Sequence, residues 1–229
     1  MERLKFEELG ASIDYALSQG YHFITCVDYV KQKTNLKNKK YIVLRVDVDY
    51  DLGASHLILK FLKHRNIKAS FFIRLHAENY NVFSKKHSSV IKQIILDGHE
   101  IGYHSELIDM SECFEIEPSQ ILSQDMESFE KFYKIKFYGS ASHREPEGEN
   151  NLLFWQGKDS IEYDLLYEAY DNSSQFGLFF NSFYISDSDW YSWKNFVNGV
   201  KSHTAFNISE AIHHGYRQIY LLIHPDTYA

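Results

Sequence analysis

The feature that most constrains this chain is a regular alternation of short apolar strands with amphipathic helices. Residues 41–47 read as a buried strand running into acidic residues, and 55–64 as an amphipathic helix. Residues 68–73 form a second strand, 88–97 a helix closed by Gly98, and 99–103 a short third strand. A long helix over 118–134 carries its proline at the first turn, where proline is tolerated. Strands over 135–141 and 216–223 follow. Upstream, Leu9, Ile13, Ala16 and Leu17 give residues 5–19 a helical period that stops at Gly20. Strands separated by helices of about 10–15 residues imply βα units and a mostly parallel sheet. Only the stretch 145–200 breaks the pattern, mixing strand-like pieces at 165–170 and 179–185 with aromatic loops. With 229 residues, 3 prolines and no repeat or low-complexity tract, one domain over 1–229 is expected.

Composition narrows the function classes. The 24 basic and 31 acidic side chains leave a formal charge of −7, and no basic run offers a nucleic-acid surface. No run approaches ~20 apolar residues, so no membrane span is expected. Residues 1–8 lack the apolar core of a secretory signal. The two cysteines, Cys26 and Cys113, are too few for a disulfide framework and read as small buried hydrophobes. A cytoplasmic protein is the expectation. Most of the 17 Tyr and 17 Phe are assigned to the core, with sugar stacking open to a late cluster, Trp190, Tyr191 and Trp193.

The chemistry sits where the strands stop. Asp47 and Asp49 end one strand, His104 and Ser105 another, His143 and Arg144 a third, His224 a fourth. Carboxyl ends of parallel strands are where βα barrels and open α/β sheets bind ligands. Residues two apart on a strand share a face, so Asp47 and Asp49 can share a cavity. Two close carboxylates repel unless a metal or a proton intervenes. One can hold a divalent ion while the other takes a proton from water. An imidazole suits zinc, and a lone histidine can protonate a leaving group. An Asp-x-Asp pair alone also suits phosphatases and glycosyltransferases. The poorer phosphatase reading needs a late lysine and a second acidic pair, and neither is found. Plainer assignments stand beside these: a solvated turn for the aspartates, and a charged surface loop for His143 with Arg144, Glu145 and Glu147. His99 at a helix end is assigned to unpaired backbone carbonyls, and His213 and His214 to the surface.

The order of motifs discriminates better. Arg45-Val46-Asp47-Val48-Asp49, then Gly98-His99-Glu100-Ile101-Gly102-Tyr103-His104-Ser105, then Leu222-Ile223-His224-Pro225 resembles the polysaccharide deacetylase family (NodB-like, carbohydrate esterase family 4). The resemblance covers roughly residues 40–225 and is strongest over 41–106. Residues 184–190, Tyr-Ile-Ser-Asp-Ser-Asp-Trp, with the closing His-Pro, look like a bacterial subgroup of surface-polysaccharide synthesis. The resemblance implies a distorted (β/α) barrel that removes acetyl groups from sugars with one divalent metal, zinc fitting best. Carried over by motif, Asp47 is the general base, Asp49 and His104 are metal ligands, and His224 is the general acid. Tyr103, Arg144 and Trp190 are expected to touch the sugar, Arg144-Glu145-Pro146 meeting a cleft-border motif only loosely.

One departure matters. The family's His-Ser/Thr-x-x-His motif ends here in Ile108, so the third ligand must come from elsewhere. His143 and Glu106 are the available donors. His143 is preferred, because Glu106 would bring a third carboxylate beside Asp47 and Asp49 and over-neutralise the ion. Glu106 is then expected to orient His104 through its other ring nitrogen. The expected function is a metal-dependent N-deacetylase of an acetamido sugar that is nucleotide-, lipid- or oligosaccharide-linked. The alternative is a non-catalytic carbohydrate-binding relative that kept the cleft and lost the metal.

Overall fold

Strand β2 (Tyr41–Val48) is buried along its whole length, which places it at the centre of the fold. The computed structural model describes residues 2–36, 38–144, 148, 150–173 and 175–229. In chain order they form α1 (Phe6–Ser18), β1 (His22–Ile24), α2 (Cys26–Gln32), β2, α3 (Ser55–His64), β3 (Ser70–Arg74) and α4 (Lys85–Leu96). Next come β4 (Glu100–Ser105), α5 (Leu107–Phe114), α6 (Pro118–Tyr133), β5 (Gly139–Ser142) and β6 (Tyr167–Glu168). The chain ends with α7 (Leu178–Asn181), β7 (Phe183–Ser186), β8 (Lys194–Val197), β9 (Val200–Lys201), α8 (Ile208–His213) and β10 (Gln218–Ile223). The strands form one sheet in the order β6-β5-β4-β3-β2-β10-β7-β8-β9, with β1 paired to the start of β2. From β6 to β7 all pairs are parallel, and β8 and β9 add an antiparallel edge. The fold is α/β with a mostly parallel sheet, as the strand–helix alternation implies.

Helices cover the outer face through the apolar stripes that the sequence predicts. Ile58, Leu59 and Leu62 of α3, Val90, Ile91 and Ile94 of α4, and Ile121, Leu122, Met126 and Phe129 of α6 are all buried against it. Gly98, at φ +74°, turns the chain from α4 into β4 in a conformation that glycine adopts without strain. The inner face curls on itself. Five pairing steps separate β6 from β10, about 24 Å across a flat sheet. Yet the Phe176 ring lies 4.5 Å from Tyr167 of β6 and 6.0 Å from Tyr220 of β10. The hydroxyls of Tyr170 and Tyr184 are 3.4 Å apart across the same gap. Aromatic side chains thus bridge the two arms of the sheet. Among the described residues no strand pairing joins β6 to β9. None of the described helices is long and apolar enough to cross a membrane.

Several local expectations need correction. Leu17 is 37% exposed, because the buried face of α1 runs through Leu9, Gly10, Ser12, Ile13 and Ala16. Cys113 is exposed on α5, while Cys26 is buried inside the curl. His99 serves no carbonyl with its ring: Nδ1 accepts the Ala69 amide at 3.2 Å. Burial and the nearby Lys68 charge hold His99 down to about 4, so the ring stays neutral and keeps that acceptor. Glu145, Pro146 and Glu147 lie outside the described residues.

Candidate active site

The carboxyl ends of β2, β4, β5, β7 and β10 open onto a cleft of about 620 Å³. Asp47, Asp49, His104, His143, Arg144, Trp190 and His224 all border it. Alternation along β2 is what aims Arg45, Asp47 and Asp49 at the same side. Arg45 is fully buried, so its guanidinium requires a carboxylate partner. It finds Asp47 in a two-pronged pair, Nε donating to Oδ1 at 2.7 Å and Nη2 to Oδ2 at 2.6 Å. Phe72 and Tyr170 cover the guanidinium at 5.2 and 4.8 Å, and Nη1 donates to the Tyr220 hydroxyl at 3.4 Å. Both oxygens of Asp47 are therefore fixed in orientation before any substrate arrives.

Asp49 faces three imidazoles. Its Oδ1 lies 3.1 Å from His104 Nε2 and 3.9 Å from His143 Nε2, and its Oδ2 lies 3.7 Å from His224 Nε2. Burial pushes the Asp49 carboxyl up, but His224, His104 and His143 together hold it well below the usual range. His104 donates Nδ1–H to the Ala141 carbonyl at 2.7 Å, since a carbonyl can only accept. Its Nε2 is thereby aimed at the carboxylates. Burial opposes a charge on His104, while Asp47 and Asp49 raise its pKa. Asp49, His104 and His143 each offer one ligand atom within 4.8 Å of the others. One carboxylate oxygen and two imidazole nitrogens are a donor set that zinc accepts. His143, held down to about 3 by burial and the His104 charge, is a neutral imidazole, as a metal ligand must be.

His224 has the opposite environment. Its Nδ1–H donates to Asp187 Oδ1 at 2.6 Å, and its backbone N–H donates to Asp187 Oδ2 at 3.0 Å. Burial pulls its pKa down, but Asp187 and then Asp49 lift it to about 9. The ring is therefore protonated at neutral pH with Nε2–H facing the cleft. Two histidines at one site, one neutral and one charged, are thus set apart by their surroundings.

The polysaccharide deacetylase family model matches residues 34–166. The chain belongs to that family. No curated protein matches it. Solved structures similar to this chain include a CE4 family pseudoenzyme from Bacillus anthracis. It is 16% identical over 82% of this chain and 56% of that one, with a TM-score of 0.48. The chain thus spans little more than half that protein's length. A family 4 carbohydrate esterase from Streptomyces lividans in complex with acetate is 15% identical over 81% and 79% of the two chains, TM-score 0.47. The chitin deacetylase of Colletotrichum lindemuthianum is 16% identical over 80% and 86%, TM-score 0.38.

Two expected site residues of this deacetylase-family chain lie elsewhere. Tyr103 neighbours His104 on β4, so it points to the opposite face. Its ring is buried under α6 and its hydroxyl donates to Asp125 at 2.6 Å. Glu106 does not orient His104, whose Nδ1 already serves Ala141. Instead Arg74 Nη2 donates to Glu106 Oε1 at 2.5 Å, and that oxygen sits 3.7 Å from His143 Nδ1. Arg74 also donates to the Asp49 carbonyl at 3.1 Å, tying the loop after β2 to the same cluster.

The aromatic expectations divide. Trp190 does border the cleft, at the strained φ of +63°. A turn bond to Asp187 at 2.7 Å, a bond from Leu4 to its carbonyl at 2.8 Å, and the Arg3 guanidinium 4.7 Å over its ring hold it there. Trp193 packs against the outer core and Tyr191 is exposed. The aromatic lining of the cleft is instead Tyr170, Phe179, Tyr184 and Phe196, with ring centroids 5.0–5.6 Å apart in successive contacts. These four aromatic residues, Asp187 and the role of Arg45 go beyond the site residues that the sequence predicts. Only Arg45 had a local signal, a charge on a wholly apolar strand two residues before Asp47.

Proposed function

We propose that the protein is a metal-dependent hydrolase that removes the N-acetyl group from an acetamido sugar of a surface-polysaccharide precursor. The observation that carries this reading is the grouping of Asp49, His104 and His143 between an oriented carboxylate, Asp47, and a charged imidazole, His224. A divalent ion held by those three residues, zinc best suiting the donor set, supplies Lewis acidity towards the acetyl carbonyl and the attacking water. Asp47 takes the proton of that water, its carboxylate aimed by Arg45. His224 gives its Nε2 proton to the sugar nitrogen, which leaves as an amine, and Asp187 holds the ring in the required tautomer. Trp190 and the aromatic wall give apolar faces on which a pyranose ring stacks, and Arg144 at the rim contacts its polar groups. A reducing compartment, the cytoplasm, suits the exposed free thiol of Cys113.

The test is acetate release from N-acetylated amino-sugar glycosides by protein whose zinc content is measured in parallel. One zinc per chain with zinc-dependent acetate release supports the reading. Substoichiometric metal that added zinc does not restore, with no acetate released, refutes it in favour of a carbohydrate-binding relative without a metal.

A further inference from the structure

The third candidate ligand stands on a loop, not on a regular element. His143 is the first residue after β5, whereas position 108, where the family motif places a histidine, lies on α5 and holds Ile108. A helix fixes its side chains through its own hydrogen bonds; a loop residue needs other restraints. Two bonds bracket the His143 backbone. Its N–H donates to the Ser105 carbonyl at 2.9 Å, and its carbonyl accepts from Asn151 Nδ2 at 3.0 Å. Asn151 is completely buried, behind His143 and outside the set of residues that line the cleft.

The same amide also caps α5. Asn151 Oδ1 accepts from the backbone N–H of Ile108 at 2.8 Å and of Asp109 at 3.2 Å, while Nδ2 donates to Asp109 Oδ2 at 2.6 Å. The orientation of the amide is dictated, since two amide N–H groups need the oxygen and two acceptors need the nitrogen. Glu106, which precedes α5, makes no cap with its side chain because that carboxylate is turned to Arg74 and His143. An asparagine 43 residues downstream of Ile108 does the capping instead.

We infer that Asn151 is the positioning residue of the metal centre: it locks the loop that carries His143 to the helix that follows His104. It touches neither substrate nor ion and acts through the His143 backbone. The inference rests on the metal-dependent reading above, and its test separates the two.

Zinc affinity is measured by competition with a chromophoric chelator for wild type, Asn151→Ala, Asn151→Asp, His143→Ala and the His143→Ala/Asn151→Ala double variant. The aspartate variant keeps the acceptor that caps α5 but sets a carboxylate oxygen against the His143 carbonyl and Asp109. It therefore separates the strap from the cap, and serves if the alanine variant does not fold. Both single Asn151 variants are expected to raise the zinc Kd by about 10- to 100-fold. The double variant is expected to match His143→Ala within about 3-fold, since a strap has no effect once its ligand is gone. The visible spectrum of cobalt(II)-loaded protein should change in Asn151→Asp, a signature that loss of stability alone does not produce. Asn151 variants that bind zinc like the wild type, or an additive loss in the double variant, overturn this assignment and leave the function standing. A wild type that binds no zinc overturns both.

Discussion

Replacing Asp187 by asparagine tests the assignment of the general acid most directly. The carboxylate holds His224 at 2.6 Å through Nδ1 and at 3.0 Å through the backbone N–H; an asparagine keeps the side chain's size, removes its charge and leaves one acceptor oxygen where two are used. His224 is lifted from an ordinary 6.5 to about 9 against the pull of burial, chiefly by Asp187 and next by Asp49. That displacement corresponds to about 3 kcal/mol net in favour of the charged ring, and because burial opposes it the carboxylates together contribute more than this net figure. A raised pKa keeps the acid competent below the folded value and loses it as pH rises through that value. At pH 8 a ring titrating near 9 is about nine-tenths protonated, and one near 6.5 about three per cent, roughly a 30-fold difference. Acetate release followed from pH 5.5 to 10 should therefore show the alkaline limb of kcat/KM moving down by about one to two pH units. The loss should be far smaller at pH 6 than at pH 8.5. Zinc content measured on the same samples checks that the metal ligands are undisturbed. A limb that stays in place, or an equal loss at every pH, refutes the role given to the Asp187–His224 pair.

Asp47→Asn should retain zinc and lose deacetylation; because it leaves Arg45 buried beside a neutral amide, it should also melt at a lower temperature, by up to about 3–5 kcal/mol of stability. A variant that loses its zinc instead would assign Asp47 to the ion. His143→Ala should bind zinc at least about 10-fold more weakly, measured by chelator competition, whereas Glu106→Gln should bind it nearly as wild type does. Gly102→Ala would put a methyl group 2.4 Å from the Phe72 ring under Arg45, and should cost about 1–3 kcal/mol in urea unfolding. His99 titrates near 4 when folded and 6.5 when unfolded. Below pH 6.5 the unfolded chain takes the proton first, so stability falls as pH drops from about 6.5 to about 4, by about 3 kcal/mol in full. His99→Gln should flatten that part of the curve; an unchanged slope would mean that another group sets it.

Where a periodic apolar face touches the sheet, the sequence is sufficient. Helices α3, α4 and α6 and strands β2, β3, β4 and β10 lie within a few residues of where alternation places them, because each buries one regular face or is buried on both. The short pieces were not legible. Strand β1 is 3 residues long and β9 is 2, too short to carry a period, and α5 follows Glu106 with no side-chain cap to announce it. Site residues divide in the same way. Asp47, Asp49, His104 and His224 stand at ends of long strands within matching motifs. Asp187 meets His224 only because β7 pairs with β10, and nothing local in residues 184–190 reveals that neighbour. Tyr103 was misplaced for a purely geometric reason: adjacency in a strand means opposite faces.

The three histidines of the cleft show why residue type alone could not distribute the roles. All three are buried, and burial by itself would leave each of them neutral. His143 follows that default because burial and the His104 charge outweigh the pull of Asp49, and a neutral ring is what a cation needs. His104 has carboxylates on one side and a carbonyl at its other nitrogen, so whatever positive charge the site holds, a proton or a metal ion, is drawn to its Nε2. His224 is the one with a carboxylate of its own, Asp187, placed outside the ligand cluster and bonded to the nitrogen that faces away from substrate. Exchanging the partners would exchange the roles. The proposed division of labour therefore rests on the strand order, which seats Asp187 beside His224 at the end of β10. The ligand proposed in place of the family motif's histidine is also the one whose backbone carbonyl a remote asparagine holds.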